Sequence, residues 1–161
     1  MRPGRIAFIA GVGALVFALD RLTKQAVVDA VPLGSAVDAA GPYVRFIHVR
    51  NTGMAFGLFQ DRSTILAVLS LFAVLAILYY YRQIASRSPL VAATLGMQLG
   101  GAFGNLVDRV AQGYVVDWID VGVPGGPRFW AFNVADASIT TGIVLVTALL
   151  LLEERRTTAR A

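Results

Sequence analysis

Long apolar segments are the feature that most restricts how this chain can fold. Four of them, at about residues 5–22, 63–81, 90–107 and 136–152, approach the roughly 20 residues that a helix needs to cross a bilayer. Inside hydrocarbon every backbone N–H and C=O must find an internal partner, so single segments of this kind form helices. The pattern therefore predicts one all-α membrane domain over residues 1–161, with four transmembrane helices.

Composition narrows the possible functions. Hydrophobic residues make up 57% of the chain, and charged residues only 15%, against about 25% in soluble domains. The net charge of +4 does not indicate nucleic acid as a partner, because the arginines cluster at the ends of the apolar segments. The absence of cysteine excludes disulfides and thiolate sites, and one histidine leaves no His-based metal cluster. We expect no metal and no cofactor.

Two polar segments, at about 25–62 and 110–135, are expected to lie outside the membrane. Residues 43–50 alternate apolar and polar side chains, which predicts a strand in a small amphipathic β-sheet platform on the membrane surface. His48 on this strand is expected to be a plain surface residue. Glycine and proline at 122–127 predict a mobile loop that acts as a flap.

The arginines also predict an orientation. They lie at the amino terminus, in the connection after the second apolar segment and in the tail, as Arg2, Arg5, Arg82, Arg87, Arg155, Arg156 and Arg160. With four spans these positions share one side, which the positive-inside rule assigns to the cytoplasm. Both termini are then cytoplasmic, and both polar segments face outward.

Two carboxylates at the outer boundary suggest chemistry. Asp136 begins an apolar helix, where an acid can also serve as a cap. Asp117 has apolar neighbours and precedes the loop that returns the chain to Asp136. Two carboxylates brought together at low dielectric cannot both ionise, so the pair shares a proton and can activate water. This is the electrostatic logic of an aspartic protease.

Further polar residues lie near these acids. Asn105 and Asn133 are candidates to orient a substrate amide or to stabilise an oxyanion. Asp108 and Arg109 are predicted to form an ion pair that braces the site, with a lipid phosphate or a peptide carbonyl as the alternative partner of Arg109.

Spacing gives two further expectations. Asp20 and Lys24 are four residues apart and share a helix face, and a surface ion pair with a snorkelling lysine is the alternative to a role in the site. The glycines of the third apolar segment, at spacings of about four, predict close helix packing. They are Gly96, Gly100, Gly101 and Gly104.

These residues together resemble a known family. The motifs are Asp20-x-x-Thr23-Lys24, Asn51-Thr52-Gly53-x-Ala55-Phe56, Gly100-Gly101-Ala102-x-Gly104-Asn105-x-x-Asp108-Arg109, Val116-Asp117 and Phe132-Asn133-x-Ala135-Asp136. In this order they are similar to the lipoprotein signal peptidase, or signal peptidase II, family. The resemblance implies an aspartic endopeptidase of the bacterial inner membrane that cleaves prolipoproteins just before the diacylglyceryl-modified cysteine.

The resemblance also assigns residues and partners. It makes Asp117 and Asp136 the catalytic dyad. It implies supporting or substrate-contacting positions at Asp20, Lys24, Asn51, Gly101, Asn105, Asp108, Arg109 and Asn133. The expected partners are the diacylglyceryl-prolipoprotein substrate and membrane lipid, and we expect a monomer.

Two other functions also fit a membrane protein with acids in its apolar segments. A transport or proton-relay protein also uses intramembrane acids, but a relay needs acids spread in depth. Here they gather at one boundary, and the second apolar segment has none, which favours a site. A purely structural membrane subunit leaves Asn105, Asn133 and the two aspartates unexplained.

Overall fold

The structure is a computed structural model that describes residues 3–54, 58–84 and 88–158, with residues 80–84 given by their backbone. The described helices are α1 (Pro3–Ala30), α2 (Ser63–Ile84), α3 (Pro89–Gln112) and α4 (Val134–Thr158). The strands are β1 (Ala36–Ala40), β2 (Val44–Asn51) and β3 (Val115–Val121). A mostly helical protein with a small sheet is therefore confirmed.

Three of the described helices, α1, α3 and α4, are long and apolar enough to cross a membrane by length and composition. Helix α2 has a shorter apolar stretch, Ser63–Tyr79. The membrane prediction is thus supported for three of the four expected spans, and the span at about 63–81 stays a prediction.

Helix α3 is the centre of the bundle and packs against α1, α2 and α4. Its start is set by Ser88, whose side chain accepts a hydrogen bond from the Val91 N–H at 3.1 Å, with Pro89 in the first turn. Small residues let α1 come close, since Gly96 and Gly100 face the Gly13 region of α1. The close packing expected from the glycine spacing is present.

The sheet has the order β1-β2-β3 with antiparallel pairing. Strand β2 covers the predicted strand, whereas β1 and β3 were not predicted as strands. Arg45 pairs with Asp120 and Val49 pairs with Asp117, and a bulge interrupts the register between Phe46 and Val49. Bulges redirect side chains next to functional sites, and this one directly precedes the position opposite Asp117.

His48 lies within this bulge and is buried, so the expectation of a surface histidine is wrong. Its Nδ1 lies 2.9 Å from the Val31 carbonyl oxygen, just beyond the end of α1. The last carbonyls of a helix lack intrahelical donors, and the imidazole supplies one here. The Gly34 N–H also donates to the His48 carbonyl at 2.9 Å, so β2 and the end of α1 are tied together.

The predicted flap at 122–127 forms a short hairpin turn that extends β3. The Val123 N–H donates to the Pro127 carbonyl at 3.1 Å, and the Gly126 N–H donates to the Val123 carbonyl at 3.0 Å. Beyond the turn, the Phe129 N–H donates to the Val121 carbonyl at 2.7 Å. Movement of this turn during turnover stays a prediction.

Two phenylalanines on or near the sheet are exposed. Phe46 is exposed and its ring meets Trp118 edge to face, with 5.3 Å between the centroids. Phe59 is exposed as well, and Phe56 lies outside the described residues.

Candidate active site

Asp117 and Asp136 line one cavity of about 460 Å³. Asp117 lies on β3, and Asp136 lies in the first turn of α4. The rest of the lining comes from several segments: Asn51, Asn105 and Arg109 of α3, Val115 of β3, residues 129–132, and Ala137, Ile139, Thr140 and Thr141 of α4. The structure therefore brings the two predicted acids to a common space.

Asn133 orients both carboxylates at once. It precedes α4, its Oδ1 accepts the Asp136 N–H at 2.9 Å, and its own N–H donates to Asp136 Oδ2 at 3.3 Å. This reciprocal arrangement is a capping box, in which the third helical residue is the candidate catalytic acid. Because Oδ1 is occupied by a donor, the Asn133 Nδ2 is left to donate to Asp117 Oδ1, at 2.7 Å.

In two other asparagines the side-chain oxygen also accepts a hydrogen bond, which leaves the side-chain nitrogen to donate to a carboxylate. Asn51 Oδ1 accepts the Gly53 N–H at 2.9 Å, so its Nδ2 donates to Asp117 Oδ2 at 2.8 Å. Asn105 Oδ1 accepts from the Lys24 ammonium at 3.0 Å, and its Nδ2 donates to Asp136 Oδ1 at 2.7 Å. An ammonium only donates, so this amide cannot be reversed. Every oxygen of the two carboxylates thus has a fixed donor.

The environment of Asp117 favours a shared proton. Burial, followed by the negative charge of Asp136, raises the pKa of Asp117 to about 7, despite the hydrogen bonds from Asn51 and Asn133. Two interacting acids titrate as a pair, so the pair can hold one proton near neutral pH. Such a pair can act as acid and base in one reaction.

Lys24 joins three helices beneath the acids. Its ammonium is buried and donates to Asp20 Oδ2 at 2.6 Å and to Asp108 Oδ2 at 2.7 Å. Asp20 Oδ1 in turn accepts the Ala135 N–H at 2.9 Å, which fixes the start of α4. Arg21 donates to the second oxygen of Asp108. The alternative of a surface ion pair with a snorkelling Lys24 is therefore wrong.

Arg109 does not brace Asp108 as predicted. It donates to the Gly53 carbonyl at 3.0 Å and to the Asn105 carbonyl at 3.4 Å, whereas Asp108 pairs with Lys24 and Arg21. Adjacent residues on a helix point in different directions, so an ion pair between positions 108 and 109 was geometrically unfavourable. A peptide carbonyl, the alternative partner, is the one observed, and it belongs to this chain.

Gly101 lets the start of α4 approach α3. A Cβ atom at this position would lie 2.5 Å from the Ala135 carbonyl oxygen. Any side chain here would push α4 outward and separate Asp136 from Asn105. The role of Gly101 is thus to allow close approach.

Two arginines near the site were not predicted from the sequence. Arg21 supplies a second cation to Asp108, and its only signal was a charge at the end of an apolar helix. Arg128 donates to Asp120 of β3, and a contact between a strand residue and a residue eight positions later gives no recognisable spacing in the sequence. Among the described residues, no group of three or more His, Asp or Glu side chains is arranged to hold a metal ion.

The fold and the site together define a class of protein. Helices long and apolar enough to cross a membrane accompany a small sheet. The buried Asp117 and the half-buried Asp136 face one cavity, with amide donors on each carboxylate oxygen. Paired acids that share a proton are the chemical basis of aspartic proteases. The class is therefore that of membrane aspartic proteases.

Comparison with known proteins gives the family. The sequence model described as "Signal peptidase (SPase) II" matches residues 12–152, so the chain belongs to the signal peptidase II family. The lipoprotein signal peptidase of Symbiobacterium thermophilum is 38% identical over 146 residues, covering 88% of this chain and 92% of that protein. The one from Streptococcus pneumoniae is 32% identical over 148 residues, covering 92% and 95%.

A solved structure agrees with the sequence comparison. A bacterial membrane enzyme superposes with a TM-score of 0.85 at 27% sequence identity, covering 92% of this chain and 90% of that chain. The family predicted from the sequence motifs is confirmed.

Proposed function

We propose that this protein is an aspartic endopeptidase that removes signal peptides from prolipoproteins, with Asp117 and Asp136 as the catalytic dyad. The observation that carries the proposal is the fixed set of amide donors on both carboxylates at one cavity. Membership of the signal peptidase II family supports the same activity.

The geometry supports a mechanism of general acid–base catalysis. With one proton on the pair, the ionised carboxylate takes a proton from water as the water attacks the scissile carbonyl. The protonated carboxyl group transfers its proton to the carbonyl oxygen, which gives a tetrahedral diol. As the C–N bond breaks, the carboxyl group that took the water proton passes it to the amine nitrogen, and a hydroxyl proton of the diol returns to the other carboxylate, so the pair again holds one proton. The asparagines keep both acids in place throughout, because each amide is itself fixed by a second hydrogen bond.

The substrate we propose is a diacylglyceryl-modified prolipoprotein, cleaved just before the lipidated cysteine. The cavity is bordered by α4, a candidate membrane span, so a signal helix can reach it laterally from the bilayer. Each buried lipid CH₂ contributes about 0.8 kcal/mol, so two acyl chains hold the substrate at one depth. This remote binding energy positions the scissile bond at the dyad.

We further propose a four-span monomer in the bacterial inner membrane, with both termini in the cytoplasm and the dyad near the outer face. Helix α2 would be the remaining span, because its apolar stretch is followed by one more turn to Ile84. A reporter fused after Ala161 should be active only on the cytoplasmic side. Activity of that reporter outside the cell would contradict this topology.

The dyad is tested by two substitutions and a matched control. Asp117→Asn and Asp136→Asn should each abolish nearly all cleavage while the protein stays folded and inserted, because an amide cannot exchange the proton. Asp38→Asn, on the exposed strand β1, removes an acid outside the cavity and should cleave like wild type. Near-normal turnover in either dyad variant would show that its carboxylate is not catalytic.

Substrate choice is tested with two precursors that differ only in the diacylglyceryl group, at equal detergent concentration. Without the lipid the scissile bond lies at variable depth, so kcat/KM should fall by a factor on the order of 10³. Comparable cleavage of the two precursors would point to a general intramembrane protease.

A further inference from the structure

One side of the cavity is a short aromatic segment, residues 129–132, called here the aromatic wall. All four of its residues line the cavity. At one end, Phe132 is paired with β3, since the Ile119 N–H donates to its carbonyl at 2.8 Å and its own N–H donates to the Ile119 carbonyl at 3.1 Å. Trp130 and Ala131 lie between this attachment and the one at the other end.

At the other end, the Phe129 N–H donates to the Val121 carbonyl of β3 at 2.7 Å, and the side chain of Arg128 adds a second attachment. Its Nε donates to both oxygens of Asp120, at 2.9 and 2.8 Å. Its Nη1 donates to the Pro42 carbonyl at 3.3 Å, and its Nη2 donates to the Tyr43 carbonyl at 3.4 Å. One guanidinium group thus connects the wall, strand β3 and the turn between β1 and β2.

Asp120 is the anchor of this arrangement. It is buried, and Arg45 on the neighbouring strand donates to its Oδ2 from Nε at 2.8 Å. Burial alone would raise the pKa of Asp120, but the hydrogen bonds and charges of Arg128 and Arg45 hold it below its ordinary value. The carboxylate therefore stays charged at neutral pH and keeps both arginines in place.

Two side chains of the wall are largely exposed. Phe129 and Trp130 are 57% and 55% exposed, so burial of their own side chains contributes only part of what ordering them requires. The Phe129 and Phe132 rings meet edge to face with centroids 5.9 Å apart, a contact within the wall itself. The attachments to the sheet at both ends therefore contribute to its position relative to the dyad.

We propose that Arg128 is a positioning residue for substrate binding, and that with Asp120 and Arg45 it fixes the aromatic wall at the distance from the dyad that the substrate requires. This rests on the proposed function, since the cavity must be the substrate site. Arg128, Asp120 and Arg45 do not line the cavity, so they act through the wall. Loss of the side-chain contacts of Arg128 raises KM, whereas kcat is unchanged because the dyad and its amide donors are not altered.

Kinetics of Arg128→Gln give the first test. The variant keeps a polar side chain but loses the bifurcated hydrogen bond from Nε to Asp120, and we expect KM to rise about tenfold with kcat within about twofold of wild type. Arg128→Lys should recover only part of the loss, because one ammonium cannot reach the carboxylate and two carbonyls together. The matched control is Arg50→Gln, on the same strand as Arg45 but stacked on Tyr114 away from the wall.

A second test needs no substrate and no catalysis. The chain has two tryptophans, so in a Trp118→Phe background the fluorescence reports Trp130 alone. Arg128→Gln in this background should increase acrylamide quenching of Trp130 about twofold, whereas Arg50→Gln should leave quenching unchanged. Because this measurement is independent of cleavage, it separates failure of the wall proposal from failure of the proposed function.

The KM and Trp130 quenching measurements together test the proposal. A selective rise in KM together with greater Trp130 quenching supports the proposal. Unchanged quenching, or a fall in kcat at constant KM, overturns it. If Arg128→Gln does not fold, Arg45→Gln leaves Arg128 on Asp120 and should give smaller changes in the same two measurements, and no change in either overturns the proposal.

Discussion

Two clusters of charged residues support opposite sides of the same cavity, and they are built differently. The helix cluster, Asp20, Arg21, Lys24 and Asp108, lies between α1 and α3 with both acids fully buried. The sheet cluster, Arg45, Asp120 and Arg128, has one buried acid and two arginines whose side chains are 35% and 20% exposed. The first holds the dyad through Asn105 and Ala135, and the second holds the aromatic wall.

The difference in burial determines how strongly each cluster affects stability. A charge left alone after removal of its buried partner costs about 3–5 kcal/mol, whereas partly exposed pairs contribute about 0–1 kcal/mol. The helix cluster is therefore coupled to folding, and the dyad it supports is rigid. The sheet cluster can be altered with little loss of stability, so it can adjust substrate binding separately from catalysis.

The largest effect is expected for Lys24→Met. The substitution leaves two buried carboxylates without their common cation and should destabilise the protein by about 3–5 kcal/mol, or about 10 °C in Tm. Thermal unfolding in detergent measures this. Gln25→Met, one position further along α1 and exposed, is the control and should unfold like wild type. Equal Tm values for the two variants would show that Lys24 is not a structural centre.

An Asp→Asn substitution in each cluster compares their contributions to stability directly. Asp108→Asn removes the partner of Lys24 and Arg21 and should lower folded yield and activity together. Asp120→Asn releases arginines that can reach water, so Tm should fall by no more than about 3 °C while KM rises. Measurements of folded yield, Tm and KM for the two variants test whether the two clusters differ in their effect on stability. Similar losses of Tm at both positions would remove the distinction between the clusters.

The contributions of Asp117 and Asp120 to the free energy of unfolding should change with pH in opposite directions. The pKa of Asp117 is raised to about 7 by burial and by Asp136, so between about pH 4 and 7 the folded protein binds more protons than the unfolded chain. Stability from this group therefore falls as pH rises, by at most about 1.4 kcal/mol per unit.

Unfolding of Asp117→Asn and wild type at pH 5 and pH 7 tests the sign, because the variant lacks this slope and should gain relative to wild type as pH rises. Asp120 has a lowered pKa, so its contribution is complete at neutral pH and is lost only below about pH 4. A parallel pH dependence of wild type and Asp117→Asn would disprove the raised pKa.

The smallest effect is expected in the hairpin turn that continues from the sheet cluster. Gly125 has φ of +68°, so Gly125→Ala strains the turn by about 1 kcal/mol and should slow turnover more than it lowers Tm if the turn moves over the dyad. Gly126→Ala is the control, since its Cβ would meet only Val123 at an ordinary 3.5 Å. Turnover that is equal in both variants would count against a moving flap.

From the sequence alone, the membrane class and the family could be predicted, and Asp117 and Asp136 could be proposed as the acids of the site. Apolar length makes helices obligatory in lipid, and residues such as Asp117 and Asp136 are costly near a bilayer, so their presence signals function. The strand at 44–51 was also predictable, because alternation of side chains is a local property.

The contacts between side chains from distant segments could be known only from the tertiary structure. Strand β3 was missed because its pairing with β2 is a contact across the chain, and the buried His48 was misjudged because a bulge turned it inward. The orientation of the Asn105 amide depends on Lys24, which lies 81 positions away in sequence. Local patterns fix how a segment folds, whereas donors and acceptors from distant segments are matched only when packing brings them within hydrogen-bond distance.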